Sequence, residues 1–165
     1  MTCTLFLTRH AKSAWNTDAP SDHARPLNTR GRRSAAALGA WVREQSSPPL
    51  QVLSSSAQRT RETYDLMALT APATFTERLY HATPEILYDV LREATQPNVL
   101  LLGHNPGLLA FAHDIVKHPP PHSRFDDYPT GATLLVEFDI AHWAEMQPHS
   151  GRVIDFVVPR ELLGE

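Results

Sequence analysis

Short apolar runs alternate along this chain with longer stretches of helical period, and this alternation limits the possible folds more than any other feature. Residues 5–7, 50–53 and 99–102 have the length and composition of buried strands. The last of them, Val-Leu-Leu-Leu, is apolar throughout, as in a strand that is covered on both faces of a parallel sheet. We therefore expect an α/β fold, a three-layer α/β/α sandwich around a mostly parallel central sheet.

The predicted helices lie between these runs. Residues 29–45 and 57–69 carry apolar side chains at helical spacing, and another helix is predicted to begin at Pro106. The clearest helix follows Thr83, a good N-cap, with Pro84 in the first helical position. Its apolar stripe is predicted to contain Ile86, Leu87, Val90, Leu91 and Ala94. Residues 73–75, 132–138 and 152–158 are predicted as further strands, the last two at a sheet edge.

Length and composition limit the class of protein. The 165 residues fit one domain, 1–165, whose core needs no disulfide. The net charge of −3 gives no general attraction to nucleic acid or to a membrane surface, so an anion site must be built from local arginines. The single cysteine, Cys3, excludes an internal disulfide and a thiolate metal cluster. No apolar stretch has the ~18–20 residues of a membrane span, and no signal peptide is recognisable, so the expected location is cytoplasmic.

Charged and polar side chains follow the predicted strands. Arg9 and His10 come directly after the first run, and His104 follows residues 99–102. Three serines, residues 54–56, precede Arg59 at the start of a predicted helix. Because ligands of open α/β sheets bind beyond the carboxyl ends of the strands, we expect these side chains to form one site.

This set of residue types suits phosphoryl transfer. Arginine binds phosphate with two parallel hydrogen bonds and stays charged, and neutral imidazole can attack phosphorus to form phosphohistidine. We expect one of the two histidines to attack and the other, protonated, to stabilise developing charge by ~3–4 kcal/mol. The helix that opens at Asn105-Pro106 presents free backbone N–H groups to the same place, a natural anion site.

Three motifs occur in a recognisable order. The first is the Thr8–Asn16 stretch, which contains the Arg-His pair. The second is the Ser55–Thr63 stretch, in which serines are followed by Arg59, and the third is Gly103-His104. Together they resemble the histidine phosphatase superfamily. Arg9-His10-Ala11-Lys12-Ser13, Arg25-Pro26-Leu27-Asn28 and Gly103-His104-Asn105-Pro106-Gly107 are similar to its small SixA-type phosphohistidine phosphatases.

The resemblance implies a phosphoglycerate mutase-like fold and no cofactor. It implies that His10 is the nucleophile that becomes phosphorylated, and that Arg9, Arg59 and His104 bind the phosphoryl oxygens. By the same resemblance, Ser13, Asn16 and Asn105 are expected to bind substrate, Asn16 because mutases carry Trp-Asn at the matching place.

A general acid is the open question. Relatives that act on alcohol esters place a carboxylic acid between the second arginine and the second histidine, where this chain offers Glu85 and Glu77 as the leading candidates. Phosphohistidine needs no strong acid, because imidazole leaves more readily than an alkoxide. The expected substrate is therefore a histidine-phosphorylated protein of phosphorelay or phosphotransfer type. A phosphatase for a small phosphate ester and a catalytically weak phosphoprotein-binding module remain as alternatives.

Other polar clusters have simpler interpretations. Arg30, Arg32 and Arg33 have the spacing of a solvated helix face, with docking of an acidic protein as the alternative. Histidines 113, 118 and 122 lack the spacing of a helical metal pair and are separated by prolines, so no metal site is expected. The aromatic residues are expected to pack or to rim the site, because no basic stripe accompanies them.

Overall fold

A computed structural model describes residues 1–165. Six strands form one sheet: β1 (Cys3–Arg9), β2 (Gln51–Ser55), β3 (Ala73–Thr76), β4 (Asn98–Gly103), β5 (Thr133–Phe138) and β6 (Arg152–Val157). The helices are α1 (Thr29–Arg43), α2 (Gln58–Met67), α3 (Pro84–Arg92), α4 (Gly107–Ile115) and α5 (Pro159–Leu162), with 3₁₀ turns at Glu77–Leu79 and Trp143–Glu145. Each predicted helix and strand is present, with ends within a few residues of those expected.

The strand order is β3-β2-β4-β1-β5-β6. β1, β2, β3 and β4 run parallel to one another, whereas β5 is antiparallel to both of its neighbours. Because β4 lies between β1 and β2, the carboxyl ends of these three strands meet at one edge near the middle of the sheet. Of the two late strands, β6 lies at an edge and β5 lies inside the sheet.

Alternate residues of the buried strands face opposite layers. Phe6 packs with α1 and α2, whose Leu38 and Met67 share its cluster. Leu5 and Leu7 belong to the larger cluster on the other face, together with side chains of α3 and α4. The apolar alternation thus places helices on both faces of the sheet, and the expected three-layer α/β/α architecture is confirmed.

Side-chain caps fix the starts of two helices, of which the one at Thr83 was predicted. Asn28 caps α1, where its side-chain oxygen accepts from the backbone N–H of Gly31 at 2.8 Å. Thr83 caps α3 through the N–H of Ile86, and Pro84 takes the first helical position. One detail of α3 was predicted wrongly: Ile86 is 36% exposed, because the apolar face of this short helix is narrower than the predicted stripe.

None of the helices combines the length and the hydrophobicity that crossing a lipid bilayer requires.

Candidate active site

The four side chains predicted as catalytic line one cavity at the carboxyl ends of three neighbouring strands. Arg9 ends β1 and His10 follows it, while His104 follows β4. Arg59 is the second residue of α2, soon after β2 ends. The cavity has a volume of about 690 Å³. The sheet topology therefore brings together residues that lie almost 100 positions apart in the sequence.

His10 is 6% exposed and its ring is oriented by one hydrogen bond. Nδ1 lies 2.7 Å from the carbonyl oxygen of Ala11, and because a carbonyl oxygen only accepts, Nδ1 carries the proton. Burial lowers the pKa of His10 to about 3, and the charges of Arg9 and Arg59 act in the same direction. At neutral pH the ring is therefore uncharged, and its Nε2 keeps a free lone pair.

His104 lies against His10, with 5.1 Å between the ring centroids. Burial lowers the pKa of His104 to about 2, and the neighbouring His10 and Arg59 act in the same direction. In the unliganded protein the ring is therefore neutral at physiological pH, whereas the sequence analysis expected a protonated His104. Its Nε2 lies 2.8 Å from Ser55 Oγ, an oxygen that also accepts from the Ala57 backbone N–H.

The Ser55 contact bears on which nitrogen of His104 carries hydrogen. Ser55 Oγ accepts from the Ala57 backbone N–H, and His104 Nε2 is the acceptor available to its own hydroxyl hydrogen, so we infer that the ring proton is on Nδ1. That Nδ1 is buried and has no hydrogen-bond partner within the protein. A neutral His104 can thus donate from Nδ1 to an anion without being charged beforehand.

Each of the two predicted arginines is anchored and yet keeps a free donor. Arg9 Nη1 donates to the Tyr128 carbonyl oxygen at 3.2 Å. Arg59 Nη1 donates to the Asp22 carbonyl oxygen at 2.8 Å, and its Nη2 donates to the Asp22 carboxylate at 3.1 Å. The Nε atoms of both arginines are buried without a partner. Buried unpaired donors are costly, and a bound oxyanion would satisfy them.

Two of the three predicted substrate-binding residues line the cavity. Ser13 is buried, and its Oγ accepts from Arg25 Nη1 at 2.7 Å. Asn105 donates through Nδ2 to the Tyr128 carbonyl oxygen at 3.1 Å and leaves its Oδ1 buried without a partner. Both can therefore offer a polar side chain to a ligand at the floor or the wall of the site.

The other three predicted side chains lie outside the cavity. Asn16 is exposed and does not line it, although the preceding Trp15 does. Glu77 and Glu85 are exposed as well and are absent from the lining. Their own segments bury Leu79 and Leu87, which turns the two carboxylates toward solvent. Neither glutamate is placed to act as the general acid, and the predicted role of Asn16 is not supported.

Asp22 is a residue of the site that the sequence analysis missed. It lies in the polar segment between β1 and α1, and its carboxylate accepts from Tyr80 at 2.5 Å and from Arg59 and Arg25 at 3.1 Å. The Tyr80 hydrogen bond is the main cause that lowers the pKa of Asp22 far below its ordinary value, and the two arginines add to it. The carboxylate therefore stays ionised and ties the β1–α1 segment to α2.

The cavity is positively charged although the whole chain carries a net charge of −3. Two carboxylates line it, those of Asp22 and Glu165. The cations that line it are Arg9, Lys12, Arg25, Arg30, Arg59, Arg124 and Arg160. The local excess of positive charge favours an anionic ligand.

The histidines outside this cavity do not gather into a metal site. His113 lies beside Asp126 and His122 beside Glu161, each pair at the surface. No group of three or more histidine, cysteine or acidic side chains is arranged to hold a metal ion. The positive charge around the candidate site comes from arginine and lysine.

Residues 5–83 match the sequence profile of the histidine phosphatase superfamily, branch 1. An uncharacterized protein of Mycobacterium tuberculosis is 32% identical over 159 residues, which cover 92% of this chain and 99% of that relative. The chain belongs to the histidine phosphatase superfamily. The matched profile contains Arg9, His10 and Arg59, whereas His104 lies beyond it and is placed beside them by the fold.

Solved structures of this superfamily share the whole fold. A protein from Nakamurella multipartitia that is described as a candidate phosphohistidine phosphatase SixA is 25% identical, with a TM-score of 0.83 over 96% of this chain and 97% of that one. The protein histidine phosphatase SixA complexed with tungstate has a TM-score of 0.71 at 23% identity, over 96% and 99% of the two chains. The chain therefore has the expected phosphoglycerate mutase-like fold, and its family supports a phosphatase activity.

Proposed function

We propose that this histidine phosphatase hydrolyses phosphohistidine in a signalling or phosphotransfer protein, without a metal ion, through a covalent phosphohistidine on His10. The hydrogen bond from His10 Nδ1 to the Ala11 carbonyl oxygen carries the proposal. It leaves Nε2 unprotonated, and the lowered pKa of about 3 keeps it so at neutral pH. A histidine in this state is a ready nucleophile for phosphorus.

In the proposed first step, the free donors of the site bind the phosphoryl oxygens. Arg9 Nε and Arg59 Nε are buried and unpaired, as is His104 Nδ1. His10 Nε2 attacks phosphorus, and the phosphoryl group passes to its ring while the leaving group departs. In the second step, water attacks the phosphohistidine, and the electron pair of the P–N bond returns to His10, whose Nδ1 is already protonated.

The choice of phosphohistidine as substrate is supported by the state of the carboxylates. Asp22 and Glu165 line the cavity, and both have lowered pKa values, by the Tyr80 hydrogen bond in the first case and by that of Arg30 in the second. Neither can therefore hold a proton for a leaving alkoxide at neutral pH. A nitrogen leaving group makes a smaller demand on an acid. The similarity to the candidate SixA phosphatase points to the same substrate class.

The experiment compares a purified histidine-phosphorylated transfer protein with a panel of alkyl phosphates under identical conditions. We expect kcat/KM to be higher for the phosphoprotein, and phosphate release to proceed in the presence of a chelator. A brief reaction quenched in base should leave phosphorus on the enzyme as base-stable, acid-labile phosphohistidine. A preference for alkyl phosphates would contradict the substrate assignment, and the absence of a phosphoenzyme would contradict the covalent route.

The cavity volume favours one alternative, a phosphatase for a small phosphate ester. About 690 Å³ lies within the range of ~300–1,000 Å³ that is usual for small-molecule sites. In that case the alkyl phosphate panel should contain a substrate that is used better than the phosphoprotein. The same comparison therefore decides between the two.

A further inference from the structure

His81 is a titratable side chain at the mouth of the cavity that the steps above do not use. It follows the 3₁₀ turn at Glu77–Leu79 and lines the cavity, and 59% of its side chain is exposed. Its ring centroid lies 5.9 Å from that of His104. His81 is thus close to the reacting groups and open to solvent at the same time.

A carboxylate that stays charged faces this imidazole. His81 Nε2 lies 3.6 Å from the Asp22 carboxylate, and the Tyr80 ring packs at 4.0 Å from the His81 ring. Arg59 Cζ lies 6.0 Å from the centroid of the Tyr80 ring. His104 is uncharged at neutral pH because burial lowers its pKa to about 2. Asp22 is therefore the charged group that lies against His81.

The backbone at His81 is strained and is held by its neighbours. Its φ of 54° lies in the left-handed region, which residues other than glycine seldom adopt. The next residue, Ala82, touches the start of α4 so closely that a Cβ at Gly107 would meet the Ala82 carbonyl oxygen at 1.8 Å. Such strain at a cavity is maintained by packing and often accompanies a functional side chain.

We propose that His81 carries the proton of the reaction: it gives a proton to the leaving group and takes one from the attacking water. This proposal rests on the function proposed above. In the first step the P–Nε2 bond to His10 forms and the bond from phosphorus to the leaving ring breaks. The electron pair goes to the ring nitrogen that held phosphorus, and the proton of His81 goes to the other ring nitrogen, so that a neutral imidazole departs.

The second step restores His81. The water oxygen bonds to phosphorus, the P–Nε2 bond breaks, and the electron pair returns to the His10 ring. The proton released by water is taken by the neutral imidazole of His81. With an alkyl phosphate, the proton of the first step goes to the leaving oxygen instead. Histidine suits this double duty because it ordinarily gains and loses a proton near neutral pH.

The test uses His81→Asn, because asparagine tolerates the left-handed backbone better than most residues. His149→Asn is the matched control: His149 also has a left-handed backbone, with φ 55°, and its Nε2 lies 3.8 Å from the Asp114 carboxylate, outside the cavity. kcat/KM, which reports formation of the phosphoenzyme, is measured from pH 5 to 9 on a phosphohistidine protein, an alkyl phosphate and 4-nitrophenyl phosphate.

We expect His81→Asn to lower kcat/KM by about 10²-fold on the alkyl phosphate and by a smaller factor on the phosphohistidine protein, because imidazole leaves more readily than an alkoxide. It should leave 4-nitrophenyl phosphate almost unchanged, because nitrophenolate leaves without a proton. With 4-nitrophenyl phosphate, whose first step needs no proton, phosphoenzyme should accumulate in the variant, because the attacking water has lost the group that takes its proton. The His149 variant should behave as the wild type. An equal loss on all three substrates, or no loss on any, would overturn the proposal.

The two proposals fail in different ways. If the wild type prefers the alkyl phosphate, the phosphohistidine assignment fails, whereas a loss in His81→Asn confined to substrates that need a proton still supports the role of His81. If His81→Asn unfolds, as judged by its melting temperature, His81→Gln is measured in the same way and judged by the same outcomes.

Discussion

Ser55 Oγ lies 2.8 Å from His104 Nε2 and accepts a hydrogen bond from the Ala57 backbone N–H on its other side. We infer that the Ser55 hydroxyl donates to His104 Nε2, which gives this buried, neutral histidine the Nδ1-protonated tautomer. A phosphoryl group beside His10 then meets an N–H donor at His104 Nδ1 rather than a lone pair. The charge that the sequence analysis assigned to His104 is thus replaced by a directed neutral donor.

Ser55→Ala should lower kcat about tenfold, equivalent to about 1.4 kcal/mol, because His104 can then place its proton on either nitrogen. Nitrogen NMR of the labelled ring should report Nδ1 protonation in the wild type and a tautomer mixture in the variant. Ser54→Ala is the matched control, since its buried hydroxyl donates to the Ser55 carbonyl oxygen and not to His104. Equal losses in the two variants would contradict the role of Ser55.

His10→Ala should reduce turnover of 4-nitrophenyl phosphate by about 10³-fold or more and abolish the phosphoenzyme, since His10 Nε2 is the nitrogen that attacks phosphorus. Binding of inorganic phosphate should persist, because the buried donors of Arg9 and Arg59 remain. Isothermal titration with phosphate checks this second point. His113→Ala, an exposed histidine outside the cavity, should leave both measurements unchanged. Undiminished turnover in the His10 variant would rule out the mechanism.

Stability should fall as the pH falls from about 6.5 toward 3. His10 and His104 have pKa values lowered to about 3 and about 2, so in this window they are neutral in the folded protein and protonated in the unfolded chain. Because the unfolded state binds more protons, the free energy of unfolding should drop by about 1.4 kcal/mol per pH unit for each histidine. The pKa of Asp22 is also lowered, so Asp22 adds to the loss of stability only when the pH falls below its ordinary pKa of 3.8.

Urea unfolding at pH 7.5, 6 and 5 measures this slope. A variant that combines His10→Asn and His104→Asn should have a flatter profile, whereas His149→Asn should keep the slope of the wild type. A slope that is unchanged by the double substitution would mean that other groups cause it. Above pH 6.5 the two buried histidines are neutral in both states and should contribute nothing.

The sequence allowed prediction where the signal is local. Apolar runs located β1, β2 and β4, and Thr83-Pro84 located the start of α3, because capping and burial depend on neighbouring residues. The strand ends placed Arg9, His10, Arg59 and His104 in one site. Asp22 and His81 escaped prediction because their contacts join segments far apart in the chain. The neutral state of His104 was not predicted either, because it depends on burial that only the folded chain creates.

The basic rim should accelerate the reaction with a negatively charged phosphoprotein. Lys12 and Arg160 line the mouth of the cavity and form no ion pair in the structure, so their charges are available to a partner. Replacing both by alanine should lower kcat/KM for the phosphoprotein at low ionic strength and weaken its salt dependence, while kcat on 4-nitrophenyl phosphate stays unchanged. Arg78→Ala, which removes an exposed arginine away from the cavity, is the control. An effect of the double variant no larger than twice that of the control would indicate only a change in net charge, because the double variant removes two positive charges and the control removes one.

Alanine substitutions at Gly107 and Gly39 distinguish two effects of backbone packing, one on the stability of the protein and one on the position of His81. A Cβ at Gly107 would meet the Ala82 carbonyl oxygen at 1.8 Å, and one at Gly39 would meet the Met67 carbonyl oxygen at 2.1 Å, on the far face of the sheet. Both alanine substitutions should lower the free energy of unfolding by about 1–3 kcal/mol through overpacking, measured in urea. Only Gly107→Ala should displace the segment that carries His81, and it should therefore reproduce the substrate-selective loss expected for His81→Asn. If Gly39→Ala produced the same selective loss, general destabilisation would explain it, and the packing of α4 against Ala82 would have no special role in positioning His81.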